Sequence, residues 1–204
     1  MIPELETPPF LRERQRQMQA EATDCGLGFR TGKLAASVHQ RLLDHVRDNA
    51  DRFRAEGRID EIGNADRKTI PTLLYEDKAF NAQLGLDLQA EHEAWAGMRL
   101  ELSYCYGVRV YQRGTFLYNH VDRPTHVISS AICIDSDLDS PWPLHVETLD
   151  GAVNQIDLAP GEIVFYEGTR LAHGRPYPLQ GDYYAAVFVH YRPLAWPSST
   201  PQPR

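Results

Sequence analysis

The chain has 204 residues, enough for one domain of ordinary size that buries a core without disulfide or metal staples. A formal net charge of −7 argues against nucleic acid or an anionic membrane as a partner, because neither would be attracted to the average surface. Cys25, Cys105 and Cys133 are odd in number and lack ligand-like spacing, which points to reduced thiols in the cytoplasm. No apolar run reaches transmembrane length, and Met1-Ile2-Pro3-Glu4 lacks the basic and apolar regions of a signal peptide.

Residues 1–30 carry Pro8-Pro9 and a charged run from Arg12 to Gln19 whose apolar stripe is too thin to demand a helix, so they read as an N-terminal arm. From Leu34 the pattern sharpens. Leu34, Val38, Leu42, Val46, Ala50 and Phe53 recur at spacings of three and four and predict an amphipathic helix ending before Gly57. Residues 57–76 mix Gly, Asp, Asn and Pro71 and read as loop. A second helix is expected over Asp77–Trp95, with Phe80, Leu84, Leu88 and Trp95 turned inward.

At Leu100 the period changes from helical to two, predicting one long strand to Tyr111 with an apolar face and a face able to line a polar cavity. A strand from Val127 to Asp135 follows. Trp142–Leu149 and Val153–Leu158 flank Asp150-Gly151, a strong hairpin signal, and Pro160-Gly161 turns the chain into Glu162–Tyr166. The last strand is expected at Tyr183–Tyr191, ahead of a Pro/Ser tail at 194–204. The expected fold is α+β with a mainly β core, a jelly roll backed by helices. Its single domain spans 31–193, with helical support over 31–97 and the core over 98–193.

The chemistry concentrates at Tyr118-Asn119-His120-Val121-Asp122. In extended backbone His120 and Asp122 project to the same side, so one imidazole and one carboxylate aim at one point. A third ligand from another strand, for which His173 in Leu171-Ala172-His173-Gly174 is the candidate, would complete a two-histidine, one-carboxylate face. Such a face suits non-haem Fe(II) and oxygen chemistry. The competing reading is a surface His–Asp pair in a turn, with His173 a loop histidine. His126 and Arg123, beside the ligand stretch, are expected on the substrate side. His145 is structural or substrate-side, His190 is packing, and Cys133 is a small buried hydrophobe.

Taken together, four features resemble the double-stranded β-helix of Fe(II)/2-oxoglutarate-dependent dioxygenases, in their prolyl-4-hydroxylase-like branch. They are Tyr111 nine residues before His120, the H-x-D, the run Leu158-Ala159-Pro160-Gly161-Glu162-Ile163-Val164-Phe165-Tyr166, and His173 with its following strand. The resemblance covers Tyr106 to Arg192. It implies that His120, Asp122 and His173 are catalytic iron ligands, that Tyr111 lines a 2-oxoglutarate site, and that Fe(II), 2-oxoglutarate and O2 are used.

The chain departs from that branch where a lysine or arginine should bind the far carboxylate of 2-oxoglutarate, since those positions hold Asp182 and Tyr183. A buried carboxylate needs a cation. Arg109, on the face of Tyr111, is the first candidate and Arg175 the second, with Tyr183 as an auxiliary donor. The implied reaction is hydroxylation of an unactivated C–H with release of succinate and CO2, on a small molecule in preference to a peptide prolyl residue. The alternatives are a prolyl hydroxylase of a peptide or protein, a cupin-like metalloenzyme without 2-oxoglutarate, and a binding module that kept the barrel. Oligomeric state is not legible.

Overall fold

The structure, a computed structural model, describes residues 4–22, 24–65 and 71–194, so the tail beyond Leu194 and the stretch 66–70 lie outside the described residues. Proline opens helix α1 (Pro9–Glu21), where a preset φ and a missing N–H cost nothing, and the helix buries only Leu11. Strand β1 (Phe29–Lys33) follows, then α2 (Ala36–Asp48), a 3-10 turn at Ala50–Arg52, and three short strands: β2 (Arg54–Ala55), β3 (Ile62–Asn64) and β4 (Thr72–Tyr75). Helix α3 (Lys78–Ala96) is capped by Asp77, whose Oδ1 accepts the Ala79 and Phe80 amides at 3.1 Å, and it ends on Gly97 in the left-handed region.

The remaining strands are β5 (Leu100–Cys105), β6 (Val108–Gln112), β7 (Thr115–His120), β8 (Ile128–Leu138), β9 (Leu144–Glu147), β10 (Val153–Ile156), β11 (Glu162–Glu167), β12 (Ala172–Arg175) and β13 (Gly181–Pro193). They form two antiparallel sheets. One runs β1-β11-β8-β13-β6-β4-β2, with β5 also paired to β13. The other runs β10-β9-β12-β7-β3. This is a double-stranded β-helix.

Three expectations are corrected. Residues 1–30 are more than an arm, because they include α1 and the start of β1, which adds to the large sheet through pairs such as Phe29↔Tyr166. The 57–76 loop contains β3 and all of β4, so the sheets are not confined to residues 98–193. These strands are short or lie at sheet edges, held by backbone hydrogen bonds without the apolar alternation that betrays a buried strand. The long strand from Leu100 is broken between β5 and β6, where a Cβ at Gly107 would run into the Tyr75 carbonyl of neighbouring β4.

Alternation sorts the large sheet into two layers. Ile132, Ile134, Ile163, Phe165, Val187 and Val189 face α2 and α3. Ala131, Cys133, Val164, Tyr166, Tyr184 and Ala186 face the small sheet, against Trp142, Leu144 and Val146. Among the described residues no helix is long and apolar enough to cross a membrane, and the three cysteines are free.

Candidate active site

Strands β7 and β12 are neighbours in the small sheet, and their register sets His120 directly opposite His173, with ring centroids 4.6 Å apart. Each imidazole donates its Nδ1 hydrogen to the carbonyl two residues earlier, His120 to Tyr118 at 2.9 Å and His173 to Leu171 at 2.8 Å. That tautomer leaves both Nε2 lone pairs free to bind a metal. Asp122 lies just past β7, where its amide donates to the Gly168 carbonyl at 2.8 Å. Its Oδ1 stands 3.6 Å from His173 Nε2, and one ligand atom from each of the three residues lies within 4.8 Å of the others.

The electrostatics suit a cation. Burial, reinforced by His173, pushes the His120 imidazole down to about 4, so it is neutral near pH 7. Burial opposes ionisation of Asp122, yet the adjacent His190 and His173 hold its carboxyl well below the usual carboxylate range. Two imidazole nitrogens and one carboxylate form a donor set that fits a divalent metal of the non-haem iron kind.

The cluster lines a cavity of about 320 Å³ between the sheets. Arg175 lies two residues after His173 and lines the same cavity. It is 4% exposed, donates through Nη1 to the Trp142 carbonyl and through Nη2 to the Tyr184 hydroxyl at 2.9 Å, and lies over both aromatic rings. No carboxylate pairs with it among the described residues.

Arg109 also lines the cavity beside Tyr111, but its charge is committed. Nε and Nη2 donate to the two carboxylate oxygens of Glu56 at 2.7 and 2.6 Å, a forked and largely buried pair. The structure therefore engages Arg109, the first candidate, with Glu56 and leaves Arg175, the second, without a carboxylate partner among the described residues. Tyr183 is not among the residues lining the cavity. Its hydroxyl donates to Asp135 Oδ2 at 2.7 Å and its ring packs with the helix-facing layer, so Tyr184, one residue on, is the tyrosine that reaches Arg175. Tyr111 lines the cavity against Trp142 at 5.2 Å. His126 and Arg123 line it as well, and His126 stacks on His190 at 4.2 Å.

Tyr184, Glu56 and Ser129 are not among the expected site residues, Tyr166 is expected only as part of its strand, and His190 only as packing. Tyr166 packs on His173 at 4.4 Å. Burial, then the charge of Asp122, pushes its phenol far above 10, so it stays protonated. Part of this was available from strand phase. Ser129 shares the face of Ala131 and Cys133, and Tyr184 the face of Ala186 and His190. Glu56 carries no local signal, because it comes from a segment 53 residues before Arg109.

No family model and no curated protein matches the chain. Solved structures do match its fold. A prolyl hydroxylase from Trichoplax adhaerens, in complex with a hypoxia inducible factor oxygen degradation domain peptide fragment, superposes with a TM-score of 0.61 at 13% identity, over 91% of this chain and 93% of that one. AviO1 from Streptomyces viridochromogenes gives 0.59 at 20% identity, over 91% and 98%. HygX from Streptomyces hygroscopicus, with nickel, 2-oxoglutarate and hygromycin B bound, gives 0.60 at 14% identity, over 83% and 84%.

Proposed function

We propose that the protein is an Fe(II)- and 2-oxoglutarate-dependent dioxygenase that hydroxylates an unactivated C–H bond of a small molecule. The observation that carries this reading is one cavity holding both the His120–Asp122–His173 cluster and, on the strand of His173, a buried arginine without a carboxylate partner among the described residues. The metal and 2-oxoglutarate bound to HygX, on the same fold, support the same pairing of groups here. Bound in this site, iron(II) with 2-oxoglutarate and O2 supplies the oxidising power, with succinate and CO2 as co-products.

The chain's own residues bind and orient. His120 and His173 present Nε2 because their Nδ1 hydrogens are held by backbone carbonyls, and Asp122 presents a carboxylate oxygen. Arg175 uses two of its N–H donors on Trp142 and Tyr184, which fix the guanidinium plane, and its remaining donors would hold the distal carboxylate of 2-oxoglutarate. The Trp142 and Tyr184 rings keep water from that ion pair and so strengthen it. Because Asp122 fills the carboxylate position, a halide has no place to bind, which favours hydroxylation over halogenation.

A small molecule is favoured by what stands over the cavity. Glu56, Ile59, Glu61 and Ile62 line it from the segment around β3, and Arg14 of α1 reaches Glu61 at 3.3 Å. This cover leaves less room for a polypeptide than for a compact substrate. A cytoplasmic location, supported by three unpaired cysteines, belongs to the same proposal. The test is succinate formation from 2-oxoglutarate with iron(II) and O2, measured first without a prime substrate and then across pools of small molecules and proline-containing peptides. Succinate no higher than in Asp122→Ala would overturn the assignment, and stimulation by peptides alone would move the substrate to a prolyl residue.

A further inference from the structure

Asp122 has two carboxylate oxygens, and the fold treats them differently. Oδ1 faces His173 Nε2 at 3.6 Å, while Oδ2 is turned to the hydroxyl of Ser129 on β8 at 2.7 Å. Ser129 Oγ has one hydrogen and three neighbours within reach: Asp122 Oδ2, the His126 carbonyl at 3.2 Å and His190 Nδ1 at 2.8 Å. A carboxylate can only accept, and it offers the shortest and charge-assisted bond, so the hydroxyl hydrogen goes to Asp122. His190 Nδ1 must then be the donor to Ser129.

His190 therefore carries a hydrogen on Nδ1, and its Nε2 has no hydrogen-bond partner among the described residues. Its ring is braced by His126 stacked at 4.2 Å and by Tyr106 edge-on at 5.4 Å. Space for the arrangement comes from Gly168, where a Cβ would fall on both Asp122 Oδ2 and Ser129 Oγ. The Gly168 carbonyl also accepts the Asp122 amide at 2.8 Å, which fixes the backbone of the same residue. Two strands, β8 and β13, and a tight turn at Gly168 thus converge on Oδ2, while Oδ1 is the oxygen beside His173.

We propose that Ser129 and His190 form a positioning relay for Asp122, which engages Oδ2 in a hydrogen-bond chain and leaves Oδ1 as the single carboxylate oxygen offered to the metal. The inference rests on the metal site read above and deepens it. A carboxylate free to rotate could chelate through both oxygens and consume a position that the co-substrates require. Held by Ser129, it presents one oxygen and keeps the opposite face open. His190 acts through Ser129, so both are positioning residues.

The experiment is titration of the full chain with cobalt(II) in the absence of 2-oxoglutarate, reading affinity and the visible d–d absorption together. Ser129→Ala and His190→Phe are expected to bind cobalt about 10- to 100-fold more weakly and with a changed spectrum. His190→Asn, whose amide can donate from the place of Nδ1, is expected to stay within a few-fold of the parent with the parent spectrum. A purely structural role for His190 would not give that rescue. Asp122→Ala separates the metal site from the relay. If it keeps the parent affinity, the metal reading falls and the relay with it. If it loses cobalt while folded Ser129→Ala and His190→Phe match the parent in affinity and spectrum, the relay alone is overturned.

Discussion

Ser129 and Ser130 are neighbours on β8, and each meets a histidine, but from opposite faces of the eight-stranded sheet. On the helix face Ser130 Oγ pairs with His92 Nε2 at 2.9 Å, and His92 Nδ1 donates to the Leu88 carbonyl at 2.8 Å. Both ring nitrogens are satisfied, and Phe165 and Tyr191 close around the ring at 4.8 and 4.4 Å. On the cavity face Ser129 meets His190, whose Nε2 has no partner, beside Asp122, His126 and the two histidines of the cluster. A histidine with both nitrogens satisfied amid apolar groups is explained by packing. Among the described residues, Arg175 without a carboxylate partner, a His190 Nε2 without a hydrogen-bond partner and a carboxylate among imidazoles are not, and they burden the fold. The apolar layer under α2 and α3 stabilises the sheet that holds them.

The contrast can be broken most directly at its most charged point. Asp122→Ala is expected to abolish divalent-metal binding in calorimetric titration and succinate formation in turnover; a variant that still binds metal would show that the cavity's acid is not a ligand. Next comes Arg175→Ala, which removes a fork of charged hydrogen bonds worth about 2–4 kcal/mol and is expected to raise the Michaelis constant for 2-oxoglutarate some tens-fold or more. Arg175→Lys should recover only part. Arg109→Ala is expected to leave that constant within a few-fold while lowering stability, because it strands buried Glu56. The opposite pattern of Michaelis constants would return the role to Arg109.

The helix face makes a prediction in pH. Burial, the leading cause, pushes His92 down to about 4, against an ordinary value of 6.5. The unfolded chain therefore takes up this proton before the folded one, and the stability from neutral His92 is complete above about pH 6.5 and is lost as pH falls toward about 4. The loss should approach roughly 3 kcal/mol. Denaturant titrations at stepped pH should show the acid loss of stability shrink by this amount in His92→Gln; an unchanged loss would mean that His92 is not the group responsible. The smallest effect is expected at Tyr183→Phe, which gives up one bond to Asp135 for about 1 kcal/mol or less and leaves 2-oxoglutarate kinetics unchanged. Tyr184→Phe, one residue along, is expected to raise the Michaelis constant a few-fold because it frees the Arg175 guanidinium.

What the sequence by itself determined is local. Period-two alternation marks most strands of the core, the three-and-four spacing marks α2 and α3, Asp150-Gly151 and Pro160-Gly161 mark their turns, and the two-residue interval from His120 to Asp122 marks a same-side pair. Each follows from backbone geometry over a few residues. The short strands β1 to β4 were not legible, because their partners lie outside the local stretch and their side chains show no period. The same limit governs the site. Which arginine remains unpaired depends on Glu56 arriving from 53 residues upstream, and which tyrosine faces the cavity depends on the phase of β13, where one step separates Tyr183 on the helix side from Tyr184 at Arg175. His173 comes to stand opposite His120 only through the antiparallel register of β7 and β12. Strand pairing and charge pairing are non-local, and for that reason only the tertiary structure decided them.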